Sequence, residues 1–295
     1  MKKIIHYPLL FLTSISGLIF FMAFPRLFDF RPSGSAHLGV QLTGFLKAIE
    51  ATALQFFKPE SWQFFESWNT ETVIDRYTYS LELIFFSLLF TIFIGSVIAY
   101  LFMNFPYKQR IRVKNVLNFF EGLPDLLVIF MMQLFLFMLY REFNIRLVTM
   151  YGLAGKEPII FPMIINSLLP SLFFAQYLIK VMEEEFEKHY ILLGQAKGLS
   201  KLQLLFSHLT RNIVPVVSIH FKTIIFMVLT NLVLVEHMFV LDGYIKELYK
   251  LLQIQSTSPV SIFFYVGVFM LPVILVERFV SLIGKKFGSV RGMDI

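Results

Sequence analysis

The longest apolar runs decide what this chain can become. Residues 80–103, SLELIFFSLLFTIFIGSVIAYLFM, carry one charged side chain, Glu82. A helix needs about 20 apolar residues to cross the ~30 Å hydrocarbon core of a bilayer. In lipid the backbone must satisfy its own hydrogen bonds, so such a run crosses as a helix. Similar runs lie at about 8–28, 119–140, 159–182, 213–235 and 260–284. The expectation is an all-α polytopic membrane protein with six transmembrane helices. Composition agrees, with 57% of the 295 residues hydrophobic and 16% charged, against about 45–50% and about 25% in soluble domains. A soluble enzyme and a disordered chain are excluded. With no cysteine, disulfides and thiolate metal sites are excluded too. The loops are too short for a separate catalytic domain, so 1–295 reads as a single transmembrane domain.

Charge bias predicts the orientation. Lys108, Arg110, Arg112 and Lys114 follow the second run with no acid among them. Lys2 and Lys3 open the chain, and Lys285, Lys286 and Arg291 lie near its end. Basic residues mark cytoplasmic loops, so both termini and the segment 183–212 are expected inside. The segments 29–79, 141–158 and 236–258 then face out. Lys2 and Lys3 before an apolar run also suit a signal peptide, but the run is long for one. The small residues Ser33 to Ala36 lie too far downstream for cleavage, so a retained first helix is expected. In the first outer segment, Leu42, Phe45, Leu46, Ile49, Ala53, Phe56 and Phe57 repeat at helical spacing. Trp62 and Trp68 follow, as interfacial indoles do. This helix either lies on the membrane or docks an external partner.

No phosphate-binding G-x-x-x-x-G-K-[ST] loop occurs. Gly155-Lys156 lacks a glycine five residues earlier. No paired-histidine metal spacing and no nucleophile motif is present. No catalytic residue, bound cofactor or metal is expected. The net charge of +6 is accounted for by inner loops and needs no nucleic acid.

The stretch 183–217, EEEFEKHYILLGQAKGLSKLQLLFSHLTRNIVPVV, is long for an inner loop. Leu199, Leu202, Leu205, Phe206 and Leu209 share a helical face, and Gly198 divides the segment. Glycine suits a helix end that turns left-handed. A helix–glycine–helix unit can be a knob that docks a soluble partner, or an amphipathic pair lying on lipid. Periodicity alone does not choose.

The string HYILLGQAKGLS followed by HLTRNIVPVV resembles the EAA loop of ABC-importer permeases, most closely the dipeptide/oligopeptide/nickel transport family. Tyr190, Ala196, Lys197, Gly198, Leu199, Ser200, His208, Arg211, Asn212 and Pro215 fall on matching positions, as do Val235, Glu236, Phe239 and Gly243 in VEHMFVLDGY. The departures are Gly194 for the loop's alanine, Leu192 for an arginine, and Leu241-Asp242 for a Trp-Pro pair. The resemblance implies a type I permease fold in the cell membrane. It implies that 183–212 is a coupling segment touching ATPase subunits through Tyr190, Gly194, Ala196, Lys197, Gly198, Leu199, Ser200, Arg211 and Asn212. It implies Glu236, Phe239 and Gly243 at an outer gate or the binding-protein side. The partners it implies are a second homologous permease, two ABC ATPases holding ATP and Mg, an external substrate-binding protein and membrane lipid.

Polar groups inside spans are candidates for the translocation path. Lys222 sits well inside the fifth run and either meets a solute carboxylate or snorkels to the interface. Thr230 and Asn231, with Asn166 and Gln176 in the fourth run, line the path or bond neighbouring helices. Pro124, Pro170 and Pro272 are expected to kink their helices. The function expected is peptide import by a non-catalytic permease subunit. The alternatives are a secondary transporter or channel, and an ABC-type subunit turned to efflux, sensing or immunity.

Overall fold

The computed structural model of the chain describes residues 2–30, 38–63, 71–143, 157–253 and 258–289, with backbone alone at 2–11, 29–30, 38, 143, 207–208, 283 and 285–289. Ser33 to Ala36, Trp68, Gly155, Lys156 and Arg291 lie outside the described residues. The described segments form two compact units, 1–75 with 247–270 and 76–246 with 271–295.

In the first unit, helix α1 (Lys2–Ala23) ends in a 3-10 turn over Phe24–Leu27, where Pro25 cannot continue the helical hydrogen bonds. Strands β1 (Phe28–Phe30) and β2 (Leu38–Val40) pair antiparallel, with Phe28 opposite Val40. The expected amphipathic helix is α2 (Leu42–Gln55). Phe45 of α2 meets Phe20 of α1 edge to face, with ring centroids 5.5 Å apart. The expected span 8–28 is overrun at its end: the helix stops at Ala23, and β1 begins at Phe28.

The second unit begins within α3 (Glu71–Asn104). Next come α4 (Tyr107–Glu121) and α5 (Asp125–Phe143). These two are bent by 100° at the intervening break. The apolar run 119–140 is therefore not one helix. Pro124 disfavours the helical conformation at Leu123, and its carbonyl accepts from Leu127 and Val128 to start α5. The basic residues at 108–114 lie on α4 rather than in a short loop. Then follow α6 (Ile160–Phe186), α7 (His189–Ala196), α8 (Lys201–Gln203), a π-helical turn (Leu204–Leu209) and α9 (Thr210–Met238). The last helices are α10 (Tyr244–Gln253) and α11 (Pro259–Ser289).

Among the described residues, four helices, α3, α6, α9 and α11, are long and apolar enough to cross a membrane, and the α4–α5 pair raises the number to five if counted as one span. The core of the second unit is a seam of α6 against α9, with Ala175, Met182, Val228, Leu229 and Leu232 all buried. Gly95 lets α3 approach α6: a Cβ there would lie 2.6 Å from Phe174 and 2.9 Å from the Ser171 carbonyl oxygen. Small residues serve membrane helices in this way, because packing rather than hydrophobicity holds them together in lipid.

Candidate functional site

The glycine and the serine of the AKGLS run each have a local structural task. Helix α7 ends at Ala196, and Gly198 takes φ +79°. Its N–H donates to the Gln195 carbonyl, while the Leu199 N–H reaches back to Gly194. This pair of bonds is the Schellman stop, which needs a left-handed residue. Ser200 then caps α8: its Oγ accepts from the Gln203 N–H, and the Gln203 side chain accepts from the Ser200 N–H. Such a capping box satisfies two otherwise orphaned donors. The two short helices are thus joined by a turn with its hydrogen bonds closed, which makes the unit stiff.

Below the turn, Ile191, Leu204, Leu205 and Leu209 are buried. Gly194 leaves room for Leu204, whose Cδ2 would lie 2.5 Å from a Cβ at 194. The upper surface is open. Ala196, Lys197 and Gly198 are exposed, and so are Leu192, Leu193, Leu202 and Phe206. Tyr190 is half-buried, its hydroxyl donating to Glu185 Oε1 at 3.0 Å. Glu185 is itself buried and also pairs with Lys188. Among the four acids Glu183, Glu184, Glu185 and Glu187, then, Glu185 is a structural anchor, and Glu183 pairs with Lys114 at 2.8 Å.

The knob is tied to the end of α3. Lys201 Nζ and Arg110 Nη2 both donate to the Met103 carbonyl, and Arg110 Nε reaches the Phe105 carbonyl at 3.0 Å. Cations at a helix C-terminus satisfy its free carbonyls and its dipole. Burial, then the nearby Arg110 charge, holds the Lys201 amine below the usual lysine range. The Phe206 ring stacks on Tyr100 with centroids 4.8 Å apart. Arg211 is exposed and Asn212 half-buried in the first turn of α9. Neither Lys201 nor Tyr100 stands out in the sequence, and Arg110 does so only for its charge, since their partners are supplied by a different helix.

The outer motif forms a second cluster. Glu236 is 2% exposed. Its carboxylate accepts from the Ser80 hydroxyl and from the Ile245 N–H at 3.0 Å, and Ser80 Oγ accepts from the Tyr244 N–H at 2.8 Å. Glu236 and Ser80 therefore cap the first turn of α10. Phe239 is fully buried and meets Phe161 edge to face. Asp242, where the resembling family has Pro, bridges Arg76 and Lys246.

The five path candidates are not brought together. Asn166 donates to Ser87 at 3.0 Å, and its Oδ1 is buried without a hydrogen-bond partner among the described residues. The Oδ1 of buried Asn231 is in the same state. Thr230 bonds its own helix at the Phe226 and Met227 carbonyls. Gln176 lines a notch of about 170 Å³ with Lys114, Lys180 and Glu183. Lys222 pairs with Glu277 of α11 at 3.2 Å.

No curated protein matches the sequence. A solved structure described as an amino acid ABC transporter with histidines superposes with a TM-score of 0.49 at 10% identity, covering 73% of this chain and 94% of that one. The profile of the family described as binding-protein-dependent transport system inner membrane component matches residues 91–289, about two thirds of the chain, from within α3 through α11. This multi-pass membrane protein belongs to that family, the permease components of ABC transporters.

Proposed function

We propose that the chain is one transmembrane subunit of an ATP-driven importer of peptides in the cytoplasmic membrane, with both termini inside. Its first apolar helix and the bent α4–α5 pair complete six spans. It pairs with a second, homologous permease. Two ABC ATPases bind ATP and Mg on the inner side, and an external binding protein delivers solute. The chain itself carries out no catalysis.

The observation that carries this reading is the stiff α7–Gly198–α8 unit. Its apolar residues Leu192, Leu193 and Leu202 face outward, while its base is pinned to Met103. Apolar side chains left open on a polar inner segment mark a surface for a partner. A rigid contact is what transmits motion: closing ATPases displaces the knob, and α9, continuous with it through the π turn, moves with it as a packed body. The partner shifts the equilibrium only if its contacts differ between the two states. The AKGLS and VE-x-x-F-x-x-x-G runs support the peptide class.

The test is purification of the tagged chain in mild detergent from its native membrane, beside a Gly198→Pro variant. Proline cannot adopt φ +79°. P-loop ATPases and a second permease should co-purify with the wild type, and the variant should lose the ATPases. Recovery of the chain alone would overturn the importer reading.

A further inference from the structure

We propose that Lys222 and Glu277 form a binding site for zwitterionic solutes, one that engages an amine and a carboxylate of the same molecule. The inference deepens the importer reading and rests on it for the statement that solute passes this point.

Depth is the first argument. Lys222 lies nine residues into the apolar run 213–235, and Glu277 seven before the end of the run 260–284. At 1.5 Å per residue they are about 13 Å and about 10 Å from the inner ends of those runs. Two helices thus put both charges at similar levels in the inner half of a hydrocarbon core about 30 Å thick. At such depth a charge that faces lipid is costly, and ionisable side chains turn to partners or to water-filled spaces.

Access is the second. The Lys222 side chain is 67% exposed and that of Glu277 37% exposed, so the pair is open along one side. It lines a cavity of about 220 Å³ with the hydroxyls of Ser218 and Ser281. The cavity is bounded by a close helix contact at Gly284, where a Cβ would lie 1.9 Å from Ser218 Oγ.

Chemistry is the third. An ammonium and a carboxylate 3.2 Å apart satisfy each other and present one charge of each sign to a visitor. A solute with a single charge would leave the opposite residue unpaired in a low-dielectric setting, a large penalty. A solute bearing both charges replaces the internal pair with two external ones. Free amino acids and short peptides have this form.

The chain has no cysteine, so a single reporter thiol reacts without background from it. Ser281→Cys is introduced into the full complex, co-purified with its partners, and modified with a water-soluble methanethiosulfonate. The probe is a di- and tripeptide fraction of hydrolysed casein, used untreated, N-acetylated or methyl-esterified. The untreated fraction should slow modification about tenfold at saturating concentration, and both blocked fractions should protect weakly. Protection should vanish in Lys222→Met and in Glu277→Gln. Equal protection by blocked peptides, no protection, or an unreactive thiol would overturn the site. ATPase activity measured on the same preparation separates the outcomes: peptide-independent labelling of a complex with working ATPases sinks the site alone, whereas absence of ATPases sinks the importer reading.

Discussion

The carboxyl carbon of Glu236 lies over Gly243 so closely that a Cβ on the glycine would meet it at 2.2 Å. The obstructing atoms belong to a side chain held by Ser80 and Ile245, so it cannot swing aside without breaking both bonds. Gly243→Ala should therefore cost about 2–3 kcal/mol, the upper range of overpacking. Thermal unfolding in detergent, followed by size-exclusion fluorescence, should show a clear fall in midpoint. Glu236→Gln should cost less, about 1–2 kcal/mol, because one of the two donors then faces an amide N–H. A Gly243→Ala protein with wild-type stability would contradict the contact.

Among the described residues, Val240 is the other left-handed one, at φ +53°. It ends α9 as Gly198 ends α7: its N–H bonds the His237 carbonyl, and the Leu241 N–H bonds that of Glu236. A β-branched residue is strained there, and at 70% exposure its side chain gains little from packing. Val240→Gly should stabilise the protein by about 1 kcal/mol, the usual left-handed penalty of 1–2 kcal/mol less the entropy glycine adds to the unfolded chain. The same unfolding assay reads it. If the midpoint falls, the strain is not stored at this residue.

The spans legible in the sequence were those whose apolar runs are uniform, as in α3 and α9. The start of α5 was misplaced because Phe119 and Phe120 continue the apolar count, although Gly122 and Pro124 end the helix. Hydropathy weighs composition and overlooks the stop. The AKGLS turn was legible because glycine and an N-cap serine act within a few residues of themselves. Glu277 was missed as the partner of Lys222, and Ser80 as the partner of Glu236, because those contacts join distant helices. Local periodicity carries no information about which face meets which.

The glycine that replaces the family's alanine at 194 has a physical partner in Leu204, whose Cδ2 fills the vacant space. Gly194→Ala should disturb α7 even though alanine is the better helix former. The obstruction is the far end of a flexible side chain, so the cost should be modest, about 1 kcal/mol. Shortening Leu204 to Val in the same protein should recover part of it. A double-mutant cycle on ATPase stimulation in the reconstituted complex measures the coupling. Additive effects would show that the two side chains do not share the space.

Asp242 gives a pH prediction. Burial pushes its carboxyl pKa upward, but hydrogen bonds and charge from Lys246 and Arg76 outweigh this and leave it below the ordinary value of 3.8. A folded-state pKa below the unfolded one means that the unfolded chain binds the proton more readily. The contribution is then complete above the unfolded value and is lost as pH falls through the folded one. The group should therefore stabilise the outer cluster fully at pH 5 and above, and progressively less below 3.8. The side chain is 38% exposed, so solvent screening keeps the effect small. Unfolding midpoints of the wild type and Asp242→Asn, measured across this range, should differ at neutral pH and converge in acid. A constant gap down to the lowest pH would mean that Asp242 contributes through packing alone. A gap that widens in acid would reverse the sign and remove the ion pairs with Arg76 and Lys246 as its source.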